Sequence, residues 1–177
     1  MVERPTQKES NQTGDSILTQ EFVEPILAVT KEFLKYNDHL GPALFLRMEN
    51  EERSIVPLTH FDDLKSMAER KEYFISLGLS IRLSGMRIRE AILVSEVWYV
   101  EPEEDALDAP PSKHPKRKEA ISIVGRDSEG VRFIHVLQPF SRDDQNFPVY
   151  EAVEADFNVE FEEGNYPTSL IDHLFDE

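Results

Sequence analysis

Ala91-Ile-Leu-Val-Ser-Glu-Val-Trp-Tyr-Val100 is the segment from which the rest of the chain is read. A strand with one wet face alternates apolar and polar residues. Here one parity carries Ala91, Leu93, Ser95, Val97 and Tyr99, and the other carries Ile92, Val94, Glu96, Trp98 and Val100. Both parities are largely apolar, which predicts a central strand covered front and back.

Two further β-rich runs follow, Glu119–Arg126 and Val131–Gln138, joined through Asp127-Ser-Glu-Gly130 as a hairpin. Upstream, Ala43–Met48 and Arg53–Leu58 flank the polar turn Glu49–Glu52, and Pro57 places the second arm at a sheet edge. Before them, Phe22, Ile26, Val29, Phe33 and Leu40 lie near one helical face, with Leu34 and Tyr36 close by. Thr19 is the expected N-cap, Pro25 sits in or near the first turn, and Gly41-Pro42 is the expected stop.

A second helix is expected from Phe61 to Leu83. Thr59 and Asp62 would form its capping box and Gly85 its C-terminal cap. Gly78 would cost that helix about 1 kcal/mol relative to Ala. The stretch Phe147–Phe161 predicts one more strand, and Ser169–Phe175 a last helical turn.

The order α-β-β-α-β-β-β-(β) predicts an α+β fold: a five- to six-stranded, mainly antiparallel sheet with two main helices on one face. Something must then cover the other face of the central strand. The C-terminal segment is one candidate. A second copy, making a two-fold homodimer, is the other. Residues 1–18 are polar and without periodicity, which predicts a disordered tail ahead of a single domain at 19–177.

Composition narrows the function classes. The chain has 177 residues and no cysteine, which excludes disulfides, thiolate nucleophiles and Cys-ligated zinc. That fits a cytoplasmic setting. No apolar run approaches a membrane span, and the first ten residues do not resemble a signal peptide. A formal charge of −16 repels phosphate backbones and anionic lipid, so neither nucleic acid nor membrane is expected as a partner. From Asp143 to Glu177 there are eleven Asp and Glu and neither Lys nor Arg. Such a run serves solubility, docks a basic protein partner, or mimics nucleic acid.

No Gly-rich phosphate loop, His-Glu-x-x-His, calcium loop or Gly-x-Ser-x-Gly elbow occurs. His39, His60, His114, His135 and His173 are scattered without metal-ligand spacing, so no metal and no cofactor is expected. Glu96 stands out, a carboxylate on a strand face with Ile92, Val94 and Trp98. A buried carboxylate needs a partner or its pKa rises. His135 and the arginines Arg87, Arg89 and Arg117 are candidates. Glu96 with His135 would make a general acid–base pair, whereas Glu96 with an arginine would be a structural ion pair holding the sheet register. The connection Glu101–Lys118 is acidic first, basic second and proline-rich, so it reads as a lid or docking arm, or as a solvated connector.

Ser95-Glu-Val-Trp98, followed by Pro111-Ser-Lys-His-Pro-Lys-Arg-Lys-Glu-Ala120, resembles a pattern in bacterial proteins of unknown function. In those proteins a Glu-x-Trp strand end precedes a Pro-rich loop and an Arg-x-Glu-Ala strand start. The resemblance spans about residues 90–125 and implies no catalytic residue. It groups Glu96, Trp98, Pro115, Arg117 and Glu119 as one unit, with Arg117 pinning the loop against Trp98. Trp98, His114, Arg117 and Glu119 are the candidate binding residues. The expected function is a non-catalytic module that binds another protein or itself. The alternatives are a hydrolase-like enzyme using Glu96 and His135, and an acidic nucleic-acid mimic using residues 143–177.

Overall fold

The computed structural model describes residues 16–100, 115–157 and 170–176. Two helices, α1 (Gln20–Leu34) and α2 (Met67–Leu83), accompany seven strands: β1 (Ala43–Met48), β2 (Arg53–Pro57), β3 (Ile88–Tyr99), β4 (Lys118–Asp127), β5 (Phe133–Arg142), β6 (Pro148–Tyr150) and β7 (Glu154–Asp156). The sheet is antiparallel throughout in the order β2-β1-β3-β4-β5, with β6 and β7 both pairing with the outer side of β5. The α+β class, the two helices and the antiparallel sheet are as the sequence implies. The expected single strand within Phe147–Phe161 is instead two short ones.

Pleating sends alternate residues of β3 to opposite faces. Ala91 and Leu93 join Leu44, Leu46 and Val124 under Phe74 of α2 and under Ile171 and Leu174 near the C-terminus. Ile92 and Val94 join Ile121, Ile123, Ile134 and Val136 under Val23 and Leu34 of α1, together with Ile17 and Leu18. The helices therefore cover opposite faces, which corrects the expectation that both share one. The physical reason is already present in β3: two apolar faces need two covers, and the chain supplies both. Cover is complete only over the first part of the strand, Ile88–Val94, while Trp98 near its end is 43% exposed.

Local chemistry sets the helix ends. Thr19 caps α1, its hydroxyl accepting from the Phe22 N–H at 3.3 Å. The helix stops at Leu34, well before Gly41, and Asn37 then donates its amide to the Phe33 carbonyl at 2.8 Å. Thr59 does not cap α2. His60 adopts a left-handed φ of 70°, Phe61–Asp63 forms a separate 3-10 turn, and Leu64 is extended. Ser66 and Glu69 make the capping box in its place. The expected stop at Ser84-Gly85 is present, with Gly85 at φ 82°.

Gly78 is neither a stop nor a defect. A Cβ there would lie 2.2 Å from the Leu174 carbonyl oxygen, so the glycine is the notch in which the C-terminal 3-10 turn (Leu170–Leu174) docks. Arg82 holds the same turn by donating to the Leu174 carbonyl at 3.2 Å. On the other face Gly125 leaves room for Leu18, whose side chain would lie 2.8 Å from a Cβ there.

The expected tail is corrected at its end. Residues 1–15 lie outside the described residues, but Ser16, Ile17 and Leu18 are buried. Their anchor is Glu90, itself only 3% exposed. Its carboxylate accepts from the Ser16 hydroxyl (2.7 Å) and the Ile17 N–H (2.9 Å), and pairs with the guanidinium groups of Arg47 (3.2 Å) and Arg132 (3.5 Å). A buried carboxylate with four partners is a register lock of the kind expected of Glu96.

Candidate functional site

Glu96, Trp98 and Glu119 come together on the α1 face near the end of β3. Trp98 and Glu119 are direct cross-strand partners, and Glu96 lies one pleat further along the same face. Arg117 stacks its guanidinium 4.7 Å above the Trp98 ring. Of the expected unit of Glu96, Trp98, Pro115, Arg117 and Glu119, the four charged and aromatic side chains are neighbours, and among the described residues no contact ties Pro115 to them. His114 lies outside the described residues.

Glu96 meets neither His135 nor an arginine. Its Oε2 accepts the Leu40 N–H at 3.0 Å and sits 3.4 Å from Nδ1 of His39. The other ring nitrogen of His39 is 3.0 Å from Asp62. An imidazolium that donates to carboxylates from both nitrogens satisfies this arrangement. The hydrogen bond to Asp62 holds the His39 pKa above its ordinary value, and the Glu96 charge adds to it. Beside them Arg142 lies 3.6 Å from Glu119 and donates to the Asp38 carbonyl at 2.7 Å, while the Asn146 amide donates to the Asp38 carboxylate at 2.7 Å. Burial pushes the Glu119 carboxyl above its ordinary pKa, opposed by Arg142 and reinforced by Glu96.

Glu96, His39, Asp62, Glu119 and Arg142 each face a counter-charge or a backbone donor. The arrangement fastens residues 37–40, just after α1, to the sheet, which explains why the helix stops where it does. Sequence reasoning missed His39 and Asp62 because they lie far from Glu96 along the chain. The local signal is only a His beside an apolar residue, before Gly-Pro.

His135 occupies the opposite side of the sheet. It pairs with Val124, whose neighbour across β4 is Leu93, on the α2 face. The expected Glu96–His135 acid–base pair is not assembled, because the two residues differ in parity. Burial lowers the His135 pKa against the pull of Glu154 and Asp156. Among the described residues no three His, Asp or Glu converge as metal ligands. No described helix is long and apolar enough to cross a membrane.

Three of the described C-terminal acids have clear partners. Asp172 binds Arg126 at 2.6 Å, Glu151 binds Lys118 at 3.1 Å, and Asp143 accepts the Gln145 and Phe147 N–H groups of its own turn at 2.9 Å.

What the polar cluster lacks lies on the other flank of α1. The helical face read from the sequence is only partly engaged: Phe22 and Ile26 are half-buried against the core, whereas Val29 and Phe33 are exposed. The core face is Val23, Thr30 and Leu34. The second stripe looks sideways over β1 and β2, where Phe22 meets Phe45 edge-on with centroids 6.3 Å apart. There it walls an apolar cavity of about 460 Å³, lined by Phe22, Pro25, Ile26, Phe45 and Ile55 with Arg53 at the rim. Val29 is 70% exposed, Ile55 65% and Phe33 44%.

Comparison of the chain with protein-family models, with curated proteins and with solved structures found no match.

Proposed function

We propose that this protein is a self-associating module without chemistry of its own, and that two copies meet over the open flank of α1 and the neighbouring edge of the sheet. One observation carries the reading: beside its core face α1 carries a second apolar stripe, of which Phe22 and Ile26 pack against the core while Val29 and Phe33 stay exposed. An exposed apolar surface beside a groove marks an interaction site more often than scattered single residues do. The candidate acid–base groups support a non-catalytic reading, since Glu96, His39 and Glu119 are occupied by structural partners. A second copy is the occupant favoured by charge. The groove is mainly apolar, and the Glu21 and Arg53 that also line it are of opposite sign, so in a chain of net charge −16 like copies meet there with little repulsion.

Sedimentation equilibrium tests it. The expected result is a dimer at about 10 μM, corresponding to a Kd of about 1 μM or below, roughly −8 kcal/mol. The double substitution Val29→Asp with Ile55→Asp is expected to give a folded monomer, because both side chains are exposed. Raising the salt concentration is expected to tighten the dimer by screening repulsion between the copies. A wild-type chain that stays monomeric at about 100 μM would end the proposal.

A further inference from the structure

The two edges of the sheet differ. At the β5 side the edge is shared by two three-residue strands, β6 and β7, and β7 carries Glu154 and Asp156. Short and charged edge strands resist pairing with a neighbour. At the other side β2 is continuous over five residues and bears Ile55 at its centre.

Its hydrogen-bond phase can be read from the hairpin. The Met48 N–H donates to the Glu52 carbonyl at 2.8 Å, and the Leu58 N–H donates to the Pro42 carbonyl at 2.9 Å. The register then pairs Leu46 with Ser54 and Leu44 with Val56. Even-numbered residues of β2 thus turn their backbone groups toward β1, and Ile55 turns its N–H and C=O outward. Its side chain lies on the α1 face, forming part of the groove floor. The residues that protect an edge, a charge and a proline, stand at the two ends as Arg53 and Pro57 and leave the middle open.

We infer that two copies join through the outer edge of β2, antiparallel about a two-fold axis at Ile55, so that their sheets continue as one. The inference rests on the self-association proposed above and assigns the surface that carries it. A residue on such an axis exchanges both backbone hydrogen bonds with its own copy, so both outward groups of Ile55 are satisfied at once. The same axis sets Arg53 of each chain opposite Pro57 of the other. Neither two arginines nor two prolines meet at the join. The two α1 flanks then face each other across a floor of β1 and β2 from both copies.

The absence of cysteine makes a direct test possible. Paired residues exchanging both bonds across an antiparallel join have Cα atoms about 5.5 Å apart, inside the roughly 4.4–6.8 Å range of a disulfide. The chain carrying Ile55→Cys, under mild oxidation, is expected to convert to a symmetric disulfide dimer. Val29→Cys, at a still more exposed position on the helix flank, is expected to stay unlinked. Reduced Ile55→Cys protein is expected to sediment as wild type, which shows that its fold is intact. A wild-type dimer in which Ile55→Cys stays unlinked, or in which Val29→Cys links in its place, overturns the strand-edge join and leaves self-association standing. A monomeric wild type overturns both.

Discussion

The two faces of the sheet are covered in different ways. On the α2 face the helix has no clean apolar stripe, yet the cover is closed: Phe74 packs at the centre, and the C-terminal turn docks into the Gly78 notch and is held by Arg82. On the α1 face the helix is strongly patterned, yet the cover is incomplete: Val23 and Leu34 go to the core while Val29 and Phe33 remain exposed. Helical patterning therefore does not measure how well a helix seals a sheet. A weakly patterned helix suffices when a distant segment completes its cover. A strongly patterned one has apolar surface to spare, and that surplus is where a partner fits.

The contrast is easiest to break at Glu90, which ties the N-terminal strap into the α1-face cover. Removing its carboxylate in Glu90→Ala leaves Arg47 with Glu51 alone and strips the buried Ser16 hydroxyl and Ile17 N–H of their acceptor, and the expected loss is about 2–3 kcal/mol in denaturant unfolding. A loss under about 1 kcal/mol would show the strap to be incidental. Next, Leu34→Ala and Phe33→Ala separate the two stripes of α1. The first opens the core and is expected to cost about 2–5 kcal/mol. The second is expected to cost about 1 kcal/mol or less when measured on dilute protein, because its ring is already part-exposed. Equal losses would mean that the second stripe is core after all.

On the α2 face, Gly78→Ala should stabilise by about 1 kcal/mol if helix propensity decided the outcome. The Leu174 backbone blocks the added methyl, so the expected change is a loss of about 1–3 kcal/mol, with faster amide exchange in Leu170–Leu174. A gain would show that the turn is not docked.

The smallest expected effect is on pH dependence, where the faces differ in sign. His39 has a raised pKa, from its bond to Asp62 and then the charge of Glu96. Its contribution is complete below the ordinary value of 6.5 and is lost as pH rises through the higher folded value. His135 has a lowered pKa from burial, so its contribution is complete above 6.5 and is lost as pH falls through the lower folded value. Thermal melts between about pH 5 and 8 are expected to lose the alkaline decline in His39→Gln and the acid decline in His135→Gln. If either substitution flattens the opposite limb, its pKa has the wrong sign here.

Much of the scaffold was legible in local chemistry. The β1–β2 and β4–β5 hairpins follow from alternation and turn residues. The Thr19 cap and the Gly85 stop follow from single residues that only those conformations suit. The edge position of β2 follows from Pro57, which cannot donate into a ladder. The capping box of α2 was misread because Thr59 and Ser66 are both followed by an acid three residues on; Ser66 has the preferred Glu there, whereas Asp62 lies against His39. At the site, the grouping of Glu96, Trp98, Pro115, Arg117 and Glu119 came from the resemblance alone; in the fold Trp98 and Glu119 are cross-strand partners and Arg117 lies over the Trp98 ring. The partner of Glu96 was not legible, since His39 reaches it through the loop after α1. Glu90 was hidden for a similar reason: its partners Ser16, Arg47 and Arg132 come from three distant parts of the chain.

Within a strand or a helix turn, a residue's neighbours are set by backbone period, so two apolar parities in β3 required a sheet buried on both sides before any contact was known. What period cannot say is which distant element arrives at each face. That choice was made by packing: α1 and the strap at Ser16–Leu18 on one side, α2 and the C-terminal turn on the other. It turned an apparently uncovered sheet face into a covered one and moved the exposed apolar surface to the flank of α1. Periodicity acts over a few residues, whereas the burial of a whole face depends on segments that meet only when the chain has folded.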